Sequence, residues 1–206
     1  MFTGIVQTKA QVFSINKHKD FLSISISIEN QYIEGLEKGA SVAINGVCLT
    51  AVDFAKGEGK GHIRFDVIDE TLSLTNLSSI EEGDFVNVER SLKIGDEIGG
   101  HMVSGHIQAK ASLVDRKTSE NNCQLSFKVD DKWQKYLFEK GFISVNGVSL
   151  TLGKVNNGVF NLHLIPETLD RTNLNEVAVS QDVNIEFDQQ TITTVDTIER
   201  YLAQRS

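Results

Sequence analysis

The sequence is poor in the residues that staple, kink or positively charge a fold. One proline, Pro166, occurs in 206 residues, so almost nothing in the chain is barred from a hydrogen-bonded strand on that ground. Two cysteines, Cys48 and Cys123, are too few for a disulfide framework and point to a reducing compartment; the expectation is a cytoplasmic protein. No apolar run is long enough to span a bilayer, and Met1-Phe2-Thr3-Gly4 does not open a basic region followed by an apolar stretch. Neither a membrane nor a secreted protein is expected. Cations are in the minority, 20 Lys and Arg against 28 Asp and Glu for a net charge of −8. With no basic cluster to offset this, nucleic acid is not expected as a partner. There is no Cys-x-x-Cys, and the five histidines do not fall at metal-ligand spacing, so no metal is expected. Gly57-x-Gly59-x-Gly61 is followed by no helix and reads as a hairpin loop rather than a phosphate cradle. Ser149 lacks the second glycine of a nucleophile elbow.

What the chain has instead is repetition. Asn45-Gly46-Val47-Cys48-Leu49-Thr50 returns 101 residues later as Asn146-Gly147-Val148-Ser149-Leu150-Thr151. The same offset lays Met1-Phe2-Thr3-Gly4-Ile5-Val6 over Met102-Val103-Ser104-Gly105-His106-Ile107. A second block, Glu70-Thr71-Leu72-Ser73-Leu74-Thr75-Asn76-Leu77, returns as Glu167-Thr168-Leu169-Asp170-Arg171-Thr172-Asn173-Leu174 at an offset of 97. A period of this size implies two similar domains rather than a solenoid of short units. Each half, roughly 95 residues, is large enough to bury its own core.

Leu22 to Ile28 reads Leu-Ser-Ile-Ser-Ile-Ser-Ile, an alternation that sets isoleucines on one face of a strand and serines on the other. Leu125, Phe127 and Val129 alternate in the same way in the second half. A short helical stretch is expected after each strand, over 31–37 and 131–139, stopped at Lys38-Gly39 and Lys140-Gly141. Glycine turns at 56–61 and at Asn156-Asn157-Gly158 separate further strands. The pattern predicts an all-β fold of two antiparallel barrels, Greek-key closure being favoured. The junction falls near Ile94 to Gly100, where strand periodicity lapses. From Thr191 to Ala203, Ile192, Val195, Ile198 and Leu202 recur at helical spacing, with Thr193 and Asp196 placed as a capping box. This amphipathic helix lies outside the repeat, and its stripe could pack on copies of itself or on its own barrel.

Polar residues that recur at equivalent places imply two like pockets and two like ligands: Cys48 and Ser149, Thr50 and Thr151, Glu70-Thr71 and Glu167-Thr168. The differences imply unlike chemistry, since Phe2 faces Val103, Ile5 faces His106 and Cys48 faces Ser149. His106 stands between a proton-transfer role and a structural one. His101 reads as a junction residue, Cys123 as filler, and Lys140 as a cation favoured at a helix end. Gly46, Gly147, Leu49 and Leu150 read as turn and strand-pairing residues.

The N-terminal Met1 to Val6, the paired Asn-Gly-Val-(Cys/Ser)-Leu-Thr blocks, Gly99-Gly100-His101-Met102-Val103-Ser104-Gly105-His106 and His163-Leu164-Ile165-Pro166-Glu167-Thr168-Leu169 together resemble the riboflavin synthase family of the α-subunit type, over the whole chain. The resemblance implies two homologous six-stranded Greek-key barrels, 1–97 and 98–190, and a C-terminal α-helix, 191–206, that assembles a homotrimer. The implied reaction is a transferase dismutation needing no cofactor: two molecules of 6,7-dimethyl-8-ribityllumazine exchange a four-carbon unit, giving riboflavin and 5-amino-6-ribitylaminouracil, the last step of riboflavin biosynthesis. Association with lumazine synthase is implied as well. Donor and acceptor are then one compound, which accounts for the duplication, and the family's site forms between the N-terminal barrel of one subunit and the C-terminal barrel of its neighbour. By resemblance the N-barrel pocket holds Gly4, Ile5, Val6, Ser41, Cys48, Leu49, Thr50, Asp66, Val67, Ile68, Asp69, Glu70 and Thr71. The C-barrel pocket holds Gly105, His106, Ile107, Lys140, Ser149, Leu150, Thr151, Leu164, Ile165, Pro166, Glu167, Thr168 and Leu169. His106 would transfer protons; Ser149, Thr151, Ser41 and Cys48 would position the rings and a nucleophilic water or shuttle protons. Asn173, where a second threonine is common, and Ser73, where an arginine is, depart from the pattern and bear on ribityl contacts. Two rivals stand behind. Lumazine proteins carry a chromophore without turnover but resemble the chain less, and a flavin-binding barrel of a reductase would need a nucleotide-binding α/β domain.

Overall fold

Alternation along the strands closes the first barrel. In the computed structural model, which describes residues 1–119 and 122–205, six antiparallel strands form it: β1 (Thr8–Lys17), β2 (Phe21–Glu29), β3 (Ser41–Ile44), β4 (Val47–Ala55), β5 (Lys60–Ile68) and β6 (Phe85–Arg90). Their order is β1-β2-β5-β4-β3-β6, with β6 pairing back onto β1. The chain leaves β2 and crosses to the far side before β3, so β3 lies between β4 and β6, a Greek-key closure. Ile24, Ile26, Ile63 and Phe65 fill the interior without exposure. The serine face of β2 is covered rather than wet: Ser23 and Ser25 are buried too, and Ser23 Oγ donates to Asp66 Oδ1 at 2.6 Å.

The second half repeats this plan with one interruption. β7 (Ala109–Ser119), β8 (Asn122–Lys128), β9 (Phe142–Val145), β10 (Val148–Thr151), β11 (Val155–Asn156), β12 (Val159–Leu164) and β13 (Asp182–Phe187) run in the order β10-β9-β13-β7-β8-β12-β11. β10 and β11 together stand where β4 stands in the first half, and the break between them leaves a curled sheet rather than a continuous ladder. Its seam is held by Gly153 N–H to Asn161 O at 2.8 Å and Asn161 N–H to Lys154 O at 3.1 Å. Both first strands carry a bulge at the equivalent place, after Val12 and after Leu113, which tightens the curl. Phe127, Phe160, Phe187 and Leu113 fill the second core.

The helices differ from expectation. Those predicted over 31–37 and 131–139 shrink to α1 (Asn30–Ile33) and a 3₁₀ turn at Asp131–Tyr136, because the chain turns early through left-handed Gly35 and Gly39, and through Lys140. A further short helix follows each barrel's fifth strand, α2 (Asp69–Leu74) and α3 (Pro166–Arg171); these are the two copies of the Glu-Thr-Leu block. The final helix, α4 (Gln189–Ala203), starts earlier than the predicted capping box. Asp188 caps it, its carboxylate accepting Thr191 N–H at 2.9 Å, while Asp196 sits inside the helix and accepts the Tyr136 hydroxyl at 2.5 Å. Ile192 and Val195 pack on the second core, whereas Ile198 and Leu202 are 54% and 58% exposed. The stripe is thus divided between its own barrel and an uncovered end; residue 206 of the predicted tail lies outside the described residues.

Between the halves lies a pseudo-two-fold junction built from the repeats. Phe2 and Val103 exchange backbone hydrogen bonds of 2.8 and 3.0 Å, and with Ala43 they form a small buried cluster. The turns Asn45-Gly46 and Asn146-Gly147 have positive φ at both residues, the geometry of tight hairpins. They meet at their glycines, where a Cβ on Gly46 would lie 2.6 Å from Gly147 N. Six buried asparagines link the rest. Asn184 Oδ1 accepts Asn76 N–H and Asn87 Oδ1 accepts Asn173 N–H, both at 2.7 Å, while Asn45 and Asn146 carbonyls accept from Asn184 and Asn87 amides at 2.9 Å. Asn173, one of the departures from the family pattern, therefore belongs to this hub.

Candidate active site

Period-2 alternation sorts the predicted site residues by face. On β4, Cys48 and Thr50 share the outer face with Ser41 and Ala43 of β3, to which they are paired in register. On β10, Ser149 and Thr151 likewise face outward with Ser144 and Phe142 of β9. The intervening residues turn inward: Leu49 and Val67 lie in the first core and Leu164 in the second. The side chains of these three thus point into the cores rather than onto the outer faces. Leu150 packs partly on the second core, and Lys140 is exposed at the turn before β9, its N–H bonded to Leu152 O.

The loops that complete each outer face come from the other half. Cys48 N–H donates to Gly105 O at 2.8 Å, and Ser149 N–H donates to Gly4 O at 2.7 Å. A cavity of about 190 Å³ is lined by Val47, Cys48, Glu70, Thr71, Leu74, Thr75, Gly105, His106 and Ile107. Ile107 packs on the first core and Val6 is buried in the second. Within one chain, then, Gly105-His106-Ile107 meets Cys48 rather than Ser149, and Gly4-Ile5-Val6 meets the second half rather than Cys48. The Phe2–Val103 bridge causes the exchange, because it passes each segment across the junction before its own first strand begins. Gly4 and Gly105 hold left-handed backbone at these crossings, and a Cβ on either would come within 2.6 Å of the Cβ of Ser149 or Cys48.

The remaining predicted residues cluster around the same two faces. Asp66 is half-buried between Ser23 and Arg64, and Ile68, Asp69 and Glu70 are exposed at the end of β5 and the start of α2. Their counterparts Ile165, Pro166 and Glu167 are exposed at the start of α3, where Glu167 pairs with Arg171, and Thr168 and Leu169 are half-buried. Thr71 and Thr168 are joined to the following turn through their carbonyls, which accept the Thr75 and Thr172 hydroxyls at 2.7 Å.

Three groups escaped the sequence reading. His101 Nδ1 lies 2.6 Å from Ser149 Oγ, and its ring stacks on Phe142 at 5.1 Å. Burial holds this imidazole below its ordinary pKa, against a weaker opposing pull from Asp188. Glu89 and Glu186 are buried under the two crossing loops, and burial pushes both carboxyls above the usual range although loop donors pull the other way. A third repeat block, Val86-Asn87-Val88-Glu89 against Val183-Asn184-Ile185-Glu186, was legible at the same offset as the second and marked both carboxylates and two hub asparagines.

Residues 3–91 and 104–188 each match the family described as the lumazine binding domain. The fold and its two outer faces thus define a tandem lumazine-binding barrel protein. The chain is 48% identical to riboflavin synthase of Escherichia coli (strain K12), covering 100% of this chain and 95% of that protein. It is 42% identical to riboflavin synthase of Chlamydia pneumoniae over 98% of each. The chain belongs to the riboflavin synthase family. Among solved structures, LumP complexed with riboflavin and LumP complexed with flavin mononucleotide superpose with a TM-score of 0.82 at 26% and 25% identity, covering 92% of this chain and all of theirs.

Proposed function

We propose that the chain converts two molecules of 6,7-dimethyl-8-ribityllumazine into riboflavin and 5-amino-6-ribitylaminouracil, each of its two outer faces holding one molecule. The observation that carries this reading is the matched pair of walls, Cys48 under the Gly105 carbonyl and Ser149 under the Gly4 carbonyl. Two like walls suit two copies of one compound, and their unlike side chains can assign donor and acceptor. Holding the two rings together would make a bimolecular step effectively unimolecular. His106, exposed on the rim of the Cys48 cavity, would take the proton from the 7-methyl group of one ring, whose carbanion adds to the other. Cys48, Ser41, Thr50, Ser149 and Thr151 would position the rings or relay protons.

The uncovered end of α4, with Ile198, Tyr201 and Leu202 each more than half exposed, supports assembly into a homotrimer. We place the facing of one subunit's first barrel and its neighbour's second barrel in that assembly. Cys48 and Cys123 are both free thiols, in keeping with a cytoplasmic setting, and among the described residues no helix is long and apolar enough to cross a membrane. Domain limits of 1–97, 98–190 and 191–206, and association with lumazine synthase, complete the proposal.

Incubation of the purified protein with 6,7-dimethyl-8-ribityllumazine alone, followed by chromatography, tests the reaction. Riboflavin and the aminouracil should appear in equal amounts. Tight binding with no product would make the chain a chromophore carrier and reassign Cys48 and His106 to lining.

A further inference from the structure

We propose that Glu186, with its counterpart Glu89, is a positioning residue: each carboxylate fixes the loop that one half lends to the reacting face of the other. The proposal rests on the riboflavin-forming reading above. Glu186 lies on β13 and is 4% exposed. Its Oε1 accepts the Ser104 N–H at 2.7 Å and the Ser104 hydroxyl at 2.8 Å, and its Oε2 accepts the Gly105 N–H at 2.9 Å. Glu89 on β6, 5% exposed, repeats the arrangement with Thr3 N–H and Thr3 hydroxyl at 2.7 Å and Gly4 N–H at 3.1 Å.

Barrel formation asks for nothing of this kind. The inward residues of these strands, Val86, Val88, Val183 and Ile185, already supply the core, and a carboxylate buried without a cation is costly. Neither glutamate takes part in an ion pair among the described residues. What the pair does is pin each loop from both sides. The carboxylate holds the N–H groups, and the carbonyl of the same glycine accepts Cys48 N–H or Ser149 N–H. His106 follows Gly105 directly, and its N–H is held by Ser104 Oγ at 3.2 Å. Its backbone is thereby fixed at the rim of the Cys48 cavity, and small errors in such placement cost rate more than they cost binding. The Glu89 loop carries Ile5 at the equivalent position, an apolar wall with no proton to move. The two glutamates should therefore separate in kinetics.

Glu186→Gln conserves size and leaves a carbonyl for Ser104, but turns an N–H onto the Gly105 N–H. With 6,7-dimethyl-8-ribityllumazine as substrate, kcat should fall about tenfold or more while riboflavin affinity and melting temperature stay near wild type. Glu89→Gln should instead raise KM with a smaller change in kcat. Ser104→Ala leaves β13 untouched and removes the hydroxyl shared by Glu186 and His106; its kcat should fall several-fold at unchanged riboflavin affinity. Equal kcat and KM effects in the two glutamine variants, losses that only track the folded fraction, or wild-type kcat in Glu186→Gln and Ser104→Ala would overturn the proposal. The Gly105 amide proton gives a readout independent of turnover: it should lie downfield in the wild type and move upfield in Glu186→Gln. An unmoved resonance overturns the clamp, whereas a moved resonance in a protein that makes no riboflavin overturns only the proposed reaction.

Discussion

His101 Nδ1 sits 2.6 Å from Ser149 Oγ, and the first half has no equivalent pair, since the repeat sets Cys48 opposite Ser149 and Ser41 opposite Phe142, the ring on which His101 stacks. One face presents a thiol beside an exposed histidine; the other presents a hydroxyl tied to a buried one. That asymmetry is what a reaction between two identical molecules requires.

Because burial lowers the His101 pKa below 6.5, the unfolded chain binds this proton more tightly than the folded one. The stabilising effect of the neutral ring is complete above pH 6.5 and is lost as pH falls through the lowered folded-state value. Glu89 and Glu186, raised from 4.5, act in the opposite sense, contributing most below that value and less as pH rises. Melting curves taken on acidification should drop more steeply for the wild type than for His101→Gln. Parallel curves would show that the ring titrates like a solvated one.

His106→Ala and Cys48→Ala should slow turnover far more than they weaken riboflavin binding, by about a hundredfold for His106 if it transfers the proton. Steady-state rates with lumazine, set against riboflavin binding by fluorescence quenching, measure the two effects. Wild-type rates in both variants would remove these roles.

Gly147→Ala should cost at least about 2 kcal/mol, since it adds a Cβ to left-handed backbone and presses it against the Gly46 backbone. That Cβ would lie 2.7 Å from Gly46 N. Gly59→Ala is the control. It has the same backbone hand but nothing within 4 Å, so it should cost only about 1 kcal/mol. Denaturant midpoints compare the two.

Asn184→Ala should destabilise by roughly 3 kcal/mol, because it strands buried groups that Asn184 now satisfies across the junction. These are Asn76 N–H, Asn76 Oδ1 and Asn45 O. Asn184→Asp should be worse, since a carboxylate oxygen would then face the two acceptors. Equilibrium unfolding distinguishes them, and a neutral alanine variant would mean that water replaces the amide.

Serine at Ile198, Tyr201 and Leu202 should dissociate the proposed trimer, with loss of activity, while the subunit keeps most of its stability. Ile192 and Val195 still anchor α4 to the second core, and Tyr136 and Lys135 still bond to Asp196. Sedimentation reads the first outcome and thermal melting the second; an intact trimer would move the interface elsewhere.

The sequence by itself determined the duplication, the antiparallel β architecture of both halves, the Asn-Gly hairpins and the amphipathic tail. All of these follow from local pattern, namely period-2 alternation, left-handed turn residues and helical spacing. Only the tertiary structure decided which loop serves which face. Gly105-His106 could be assigned to its own half on sequence similarity, but the Phe2–Val103 pairing carries it to Cys48. The same holds for His101 and Ser149, 48 residues apart, and for the glutamates that reach loops 85 or 86 and 81 or 82 residues away. Contacts at such separations depend on how each half closes and where its leading segment is carried, and no local periodicity encodes that.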